Sequence, residues 1–448
     1  MNDKALKTLE YDKIISRLET YASSSMGKKR CASLLPSSDY DEILQWQEET
    51  RDALSRLYKT GFLSFQGLSD IRPHLRLLEI DSTLTAKELL DIAKLLSITA
   101  QVKEYGMTED ENMSFDSLNT YFDMLEPLEF LHQRITSCIL SADEISDDAS
   151  AALRDIRKEI KQTNIAIHNK LASIINSQSN KTILQDALIT MRNGRYCVPV
   201  KAEYKNSFQG MIHDQSSSGS TLFIEPMAVV QLNNKIKELD MQEQAEIEKI
   251  LQGLSAQAAG CTRDLEENQK ILTTLDFIFA KAKYAKDYQG SEPIFNTDGI
   301  IDIKQARHPL LDAKKVVPVH IYIGEDFTML LLTGPNTGGK TVSLKTVGLF
   351  QLMGQAGLHI PAFEGSRLAV FSDIFADIGD EQSIEQSLST FSGHMKNIVS
   401  ILSQADSHSL CLFDELGAGT DPTEGAALAI AVLSFLHNMK CRTMATTH

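Results

Sequence analysis

Apolar residues in the first part of the chain return every three or four positions. Thr85 and Glu88 form a capping box ahead of Leu89, Leu90, Ile92, Leu95 and Leu96, so a helix with one apolar face is predicted there. Similar spacing through residues 1–125 predicts a helical core, with the loop-like stretch 61–73 held against it by Gly67 and Pro73 and with Trp46 in its packing. From about Asp147 to Ser179, one side of a further helix is marked by Leu153, Ile156, Ile160, Ile167, Leu171 and Ile174 or Ile175. That helix would reach roughly 50 Å. After Pro226 no proline occurs until Pro293, and Ile236, Leu239, Ile247, Ile250, Leu251, Leu254, Leu265, Leu272 and Leu275 continue a helical stripe. Unbroken, it would approach about 90 Å, with Gly253 and Gly260 as the points of bending or interruption.

Between these helical stretches the period changes. Residues 187–200 read as two short strands joined at Asn193 and Gly194, a strong hairpin signal, and residues 210–214 as a further strand. Residues 215–221, rich in serine, predict a flexible polar loop. The order suggests a first lever helix over 126–181, a small β-rich clamp tip over 182–225 and a second lever over 226–298. From about Ile300 short apolar runs alternate with helical patterns. Strands are predicted at 301–303, 316–323, 329–332, 369–371 and 410–413, and helices from Lys340 and from about Ser392. The expected fold is therefore α plus α/β, ending in an α/β domain over 299–448 with a buried, mostly parallel sheet.

A chain of 448 residues holds about three domains, and 42 % hydrophobic with 23 % charged residues describes an ordinary globular composition. The net charge of −16 offers no global field for nucleic acid, so any such contact must be local. Arg192, Arg195, Lys201 and Lys205 gather around the predicted hairpin. They read equally as nucleic-acid backbone contacts or as a solvated tip. The six cysteines lack any C-x-x-C spacing, which predicts reduced thiols and a cytoplasmic setting. No secretory signal opens the sequence, and no apolar run has the length of a membrane span.

The sharpest chemistry follows the apolar run Met329 to Leu332. Gly334, Pro335, Asn336, Thr337, Gly338, Gly339, Lys340 and Thr341 fit G-x-x-x-x-G-K-[ST] in the strand, turn and helix setting that pattern requires. Gly338 and Gly339 let backbone N–H groups turn inward at a helix N-terminus, which makes an anion nest. Lys340 can then lie along the β- and γ-phosphates of ATP, while the Thr341 hydroxyl ligates Mg2+. A second apolar run, 410–413, ends in Asp414 and Glu415. Asp414 is assigned to the metal and Glu415 to general-base work on the attacking water.

The order of parts narrows the family. ATPases of the chromosome-condensing type place long coils between the two nucleotide motifs, whereas here both motifs follow the levers. Transporter ATPases carry L-S-G-G-Q, where this chain has the segment 387–395. That segment, with Gly334 to Thr341, Asp414 to Pro422 and Thr446 to His448, resembles the MutS family of DNA-repair ATPases. Asp380 to Ser383, Gly393 with His394, and Gly419 to Glu424 look like its second bacterial branch, the type-two endonuclease MutS.

The resemblance extends along the whole chain and implies an ABC-type P-loop ATPase. It places Asn336 near the γ-phosphate, Gln382 in the nucleotide-sensing loop, Ser389 in the element that reaches the ATP of a partner in a homodimer, and His448 as the switch histidine. It implies binding to branched DNA or ribosomal RNA, with roles in recombination suppression and splitting of collided ribosomes. It also implies that further ATPase and dimerising helices and an Smr nuclease domain lie beyond His448, so the chain is expected to stop inside the ATPase domain. Direct mismatch reading is not expected, because no Phe precedes Phe62 and Phe223 with Glu225 falls in the clamp. Two other readings stay open: a helical binding module without turnover, and a mismatch-binding repair ATPase.

Overall fold

The computed structural model describes residues 2–107, 116–312, 314–335, 338–379 and 390–447. Eight helices open the chain: α1 (Asp3–Thr8), α2 (Tyr11–Glu19), α3 (Ser25–Ala32), α4 (Tyr40–Lys59), α5 (Arg72–Glu79), α6 (Ala86–Gly106), α7 (Asn119–Asp123) and α8 (Glu129–Cys138). The strands β1 (Ile139–Ser141) and β2 (Glu144–Ile145) precede α9 (Ala151–Asn176). Then come β3 (Thr190–Arg192), β4 (Arg195–Lys201), β5 (Gly210–Gln215) and β6 (Thr221–Pro226), followed by α10 (Met227–Ala259) and α11 (Thr262–Asp287). The last part alternates: β7 (Ile294–Asn296), β8 (Ile301–Ala306), β9 (Val319–Ile323), β10 (Met329–Thr333), α12 (Lys340–Gln355), β11 (Arg367–Ala369), β12 (Asp373–Asp377), α13 (Thr390–Gln404), β13 (Ser409–Phe413), α14 (Pro422–Asn438) and β14 (Arg442–Thr447).

The chain forms two compact units. The first comprises Met1–Asp70, Ile98–Glu126 and Glu267–His448, and the second Ile71–Ser97 and Pro127–Glu266. In the first unit β10, β14, β13 and β12 make a four-stranded sheet whose neighbours are all parallel. Every residue of β13 is buried, as a strand covered on both faces requires. Phe375, Cys411, Phe413 and Ala445 from this sheet pack against Ile398 and Ile401 of α13 and Val432 and Leu436 of α14. Helix α12 is buried almost all round, with Leu344, Val347, Phe350 and Met353 fully enclosed. At Gly348 an added Cβ would lie 2.6 Å from Leu412 and 2.7 Å from Leu9, so only glycine lets the segment joining α1 and α2 approach this helix.

Not all predicted strands enter the parallel sheet. β7, β11, β8 and β9 form a second, mixed sheet in which β8 and β9 run antiparallel. The reason is local: the connection from Ala306 to Val319 carries no helix among its described residues, and so no crossover of the kind a parallel pair needs. Periodicity does not foresee three strands of the α/β part: β7, β12 and β14.

In the second unit the hairpin turns at Asn193 and Gly194, both at positive φ (51° and 71°), as a two-residue type I′ turn demands. The sheet order is β3, β4, β6, β5, antiparallel throughout. Val198, Val200, Leu222 and Ile224 pack with Ile167 and Leu171 of α9 and Val229 of α10. The serine-rich stretch closes the β5–β6 hairpin through its own bonds: Ser216 N–H donates to the Thr221 carbonyl (2.9 Å) and Thr221 N–H to Ser216 Oγ (3.1 Å). The helical run after Pro226 is interrupted, since α10 ends at Ala259 and α11 starts at Thr262 after Gly260. Among the described residues, no helix is long and apolar enough to cross a membrane.

Candidate functional site

Strand β10 delivers the chain to Gly334, where φ is +135°, and Gly339 stands at φ +76° immediately before α12. A Cβ at either position would meet nothing within 4 Å. The demand for glycine is thus dihedral rather than spatial. Lys340 is nearly enclosed, at 8 % exposure, and its ammonium donates to the carbonyl of Gly334 and to that of Thr447 (3.1 Å). Both acceptors are neutral, so an anionic oxygen entering the turn competes for this proton donor on favourable terms. Asn336 and Thr337 lie outside the described residues.

Strand β13 ends at Phe413, and Asp414 and Glu415 follow. Asp414 N–H donates to the Asp377 carbonyl at the end of β12 (2.9 Å). Its carboxylate accepts from the Thr446 hydroxyl (2.6 Å), and the same hydroxyl oxygen accepts from Glu415 N–H (2.8 Å). Leu416 N–H completes the clasp by donating to the Thr446 carbonyl (3.0 Å). Thr446 is fully buried in β14, between β10 and β13. Glu415 itself has φ +50°, the left-handed region, which costs a non-glycine residue about 1–2 kcal/mol. That strain turns the chain sharply after the strand, and Gly417 and Gly419 continue the turn at φ +89° and +86°.

Residues from both segments line one cavity of about 960 Å3, at the upper end of the range for small-molecule sites. Gly339 and Thr341 line it from one wall, Asp414 and Glu415 from another. Sequence reasoning missed the remaining wall. Lys7 of α1, Glu10 just before α2 and Lys13 of α2 line it too, together with Lys345 of α12 and His394 of α13. Glu10 accepts from Lys13 and lies 3.6 Å from Lys345. The Lys13 bond, and then the two lysine charges, hold its carboxyl below the usual carboxylate range against the opposing effect of burial. Nothing local in residues 7–13 signals a phosphate site; they arrive through packing of Leu9 against α12.

The site joins a glycine turn, a hydroxyl and two carboxylates. Thr341 and Asp414 are hard oxygen donors, and among the described residues no cluster of three His, Cys, Asp or Glu forms a metal cage.

In the second unit the four basic residues of the hairpin part company. Arg195 donates to both oxygens of the fully buried Glu225 (2.8 and 3.0 Å), which also takes bonds from His213 (2.6 Å) and Asn233 (2.7 Å). Arg195 is thereby bound into the tip's interior. Arg192 pairs with Asp214 (3.1 Å) and lies over the Phe223 ring at 4.1 Å. The Lys201 ammonium donates to the Thr182 carbonyl (3.0 Å) at the exposed end of β4, and Lys205 is exposed.

The comparison with known proteins decides the family. The description "MutS domain V" matches residues 330–448, the stretch that holds the glycine turn, Lys340, Thr341, Asp414, Glu415 and Thr446. "Endonuclease MutS2" of Lachnoclostridium phytofermentans is 59 % identical over the whole chain, and that of Agathobacter rectalis 58 %. The chain belongs to the MutS family, in its MutS2 branch. It spans 57 % of each of these two relatives, and 56 % of the "Endonuclease MutS2" of Lachnospira eligens, to which it is 54 % identical. Of the residues that the MutS resemblance singled out, Gln382, Ser389 and His448 lie outside the described residues.

Proposed function

We propose that this chain is an ABC-type P-loop ATPase joined to a nucleic-acid clamp, with ATP turnover in the first unit controlling grip in the second. The observation that carries the proposal is the Thr446 clasp, which holds Asp414 and Glu415 on the same cavity as the glycine turn and Thr341. Gly334 to Thr341 bind the phosphates of ATP, and Lys340 leaves its two carbonyls for them. Thr341 and Asp414 would hold Mg2+, which when bound would supply charge neutralisation for the phosphates. Glu415 takes a proton from the attacking water. Lys201, Lys205 and Arg192 at the hairpin contact nucleic-acid phosphates without sequence preference.

The finer reading follows what the MutS resemblance implies: branched DNA or ribosomal RNA as ligand, a homodimer in which Ser389 completes the partner's site, and roles in recombination control and ribosome rescue. Turnover and nucleotide binding in the full-length protein test the core of it. Lys340→Ala abolishes ATP binding, and Glu415→Ala binds ATP yet hydrolyses it at least a hundredfold more slowly, in the range general-base removal produces. Unchanged hydrolysis in Glu415→Ala removes the base assignment, and absent hydrolysis in the unmodified protein leaves the binding-module reading.

A further inference from the structure

His394 faces the cavity that Glu415 faces, and its ring is fixed by a group on the neighbouring strand. Asp377 ends β12 beside Phe413, its carbonyl accepting from Asp414 N–H and its nearly buried carboxylate accepting from His394 Nδ1 (2.8 Å) and Asn397 Nδ2 (2.8 Å). His394 and Asn397 are one turn apart on α13, so a single carboxylate ties that helix to the strand end that positions Asp414. An ionised carboxylate only accepts, which places the proton of the ring on Nδ1. In the neutral ring the lone pair is then on Nε2. That edge, Cε1 and Nε2, is the part of the ring nearest Gly379, another residue of the cavity wall, and 36 % of the side chain is exposed. Asn397 also anchors α13 to Asp377, so the tie between that helix and the strand end does not depend on His394 alone.

We propose that His394 orients the attacking water together with Glu415, an inference that rests on the ATPase reading above. A water has two hydrogens, and two fixed acceptors point its lone pair at the γ-phosphorus. As the bond from the water oxygen to that phosphorus forms, the bond from phosphorus to the ADP oxygen breaks and its electron pair stays on ADP beside Lys340. One water proton passes to Glu415. The other remains on the inorganic phosphate, hydrogen-bonded to His394 Nε2.

The test compares two substitutions in the full-length protein, with thermal midpoint, ATP affinity, KM and kcat measured for each. His394→Asn keeps an amide near Nδ1, and hence the bond to Asp377, but removes the group at Nε2. His394→Gln does the reverse. An orienting role predicts that His394→Asn keeps its midpoint and its ATP affinity within about threefold while kcat falls at least about tenfold, and that His394→Gln turns over faster than His394→Asn. A role confined to holding α13 predicts the opposite order, and that order, or a His394→Asn kcat equal to the unmodified protein, overturns the inference. Should His394→Asn fold poorly, Asp377→Asn reads the same effect through loss of the fixed ring orientation, and an unchanged kcat there overturns it too. Lys340→Ala and Glu415→Ala run in the same assay keep the two levels apart. If they behave as proposed and the His394 series does not, the ATPase reading stands and the role of His394 falls; if the unmodified protein hydrolyses no ATP, both fall.

Discussion

At Thr446 one hydroxyl satisfies two demands, donating to Asp414 and accepting from the backbone of strained Glu415. Replacing it with valine keeps the shape and removes both bonds, leaving the half-buried N–H of Glu415 without that acceptor. The expected cost is about 1–3 kcal/mol of stability. Turnover should fall with it, since Asp414 loses the partner that aims its carboxylate. A Thr446→Val protein with unaltered melting and hydrolysis would show that the clasp is incidental. Asp414 and Glu415 were legible because an apolar run ending in two carboxylates is a local pattern. Thr446 was not, because its partner Asp414 stands 32 residues earlier in the chain. The same holds for Arg195. By composition it belongs with the basic residues of the tip, and only the fold reveals that buried Glu225 claims it.

Elements show a similar division. The hairpin at Asn193 and Gly194 and the start of α12 at Lys340 follow from short-range dihedral demands, and both stand where the spacing put them. β14 escaped notice because half of Arg442 to Thr447 is threonine, with no long apolar run; it is buried by the strands on either side rather than by its own composition. β6 carries a proline and a buried glutamate, both poor strand signals, yet Leu222 and Ile224 put it at the centre of the tip's core. Lys201 at the end of β4 is half-buried and Lys205 just beyond it is exposed. Exchanging Lys201 and Lys205 together for glutamate should weaken nucleic-acid binding and lower the slope of log K against log salt by about 0.7–0.9 for each phosphate left without its lysine. Titration at several salt concentrations gives that slope, and an unaltered one would clear both lysines of any part in binding the phosphates.

For the molecule as a whole, stability should depend on acid through its buried histidines. Burial pushes His308 and His359, both in the first unit, down to about 4. In the unfolded chain a histidine titrates near about 6.5. Between those values the unfolded state binds more protons than the native one, so stability is full above about pH 6.5 and declines as pH falls toward about 4. The melting midpoint measured across that window should drop, and a His308→Gln, His359→Gln double variant should flatten the drop. A flat midpoint in the unmodified protein would contradict the burial of these rings.

The sequence by itself determined the phosphate turn, the paired carboxylates, the hairpin and the helical stripes, because each depends on residues within a turn or two of one another. Tertiary structure alone decided that β14 lies between β10 and β13, that residues 7–13 form a wall of the cavity, and that Asp377 takes His394 and Asn397 from α13. Those outcomes depend on which distant segments bury one another, and burial is a property of the packed chain rather than of any stretch of it.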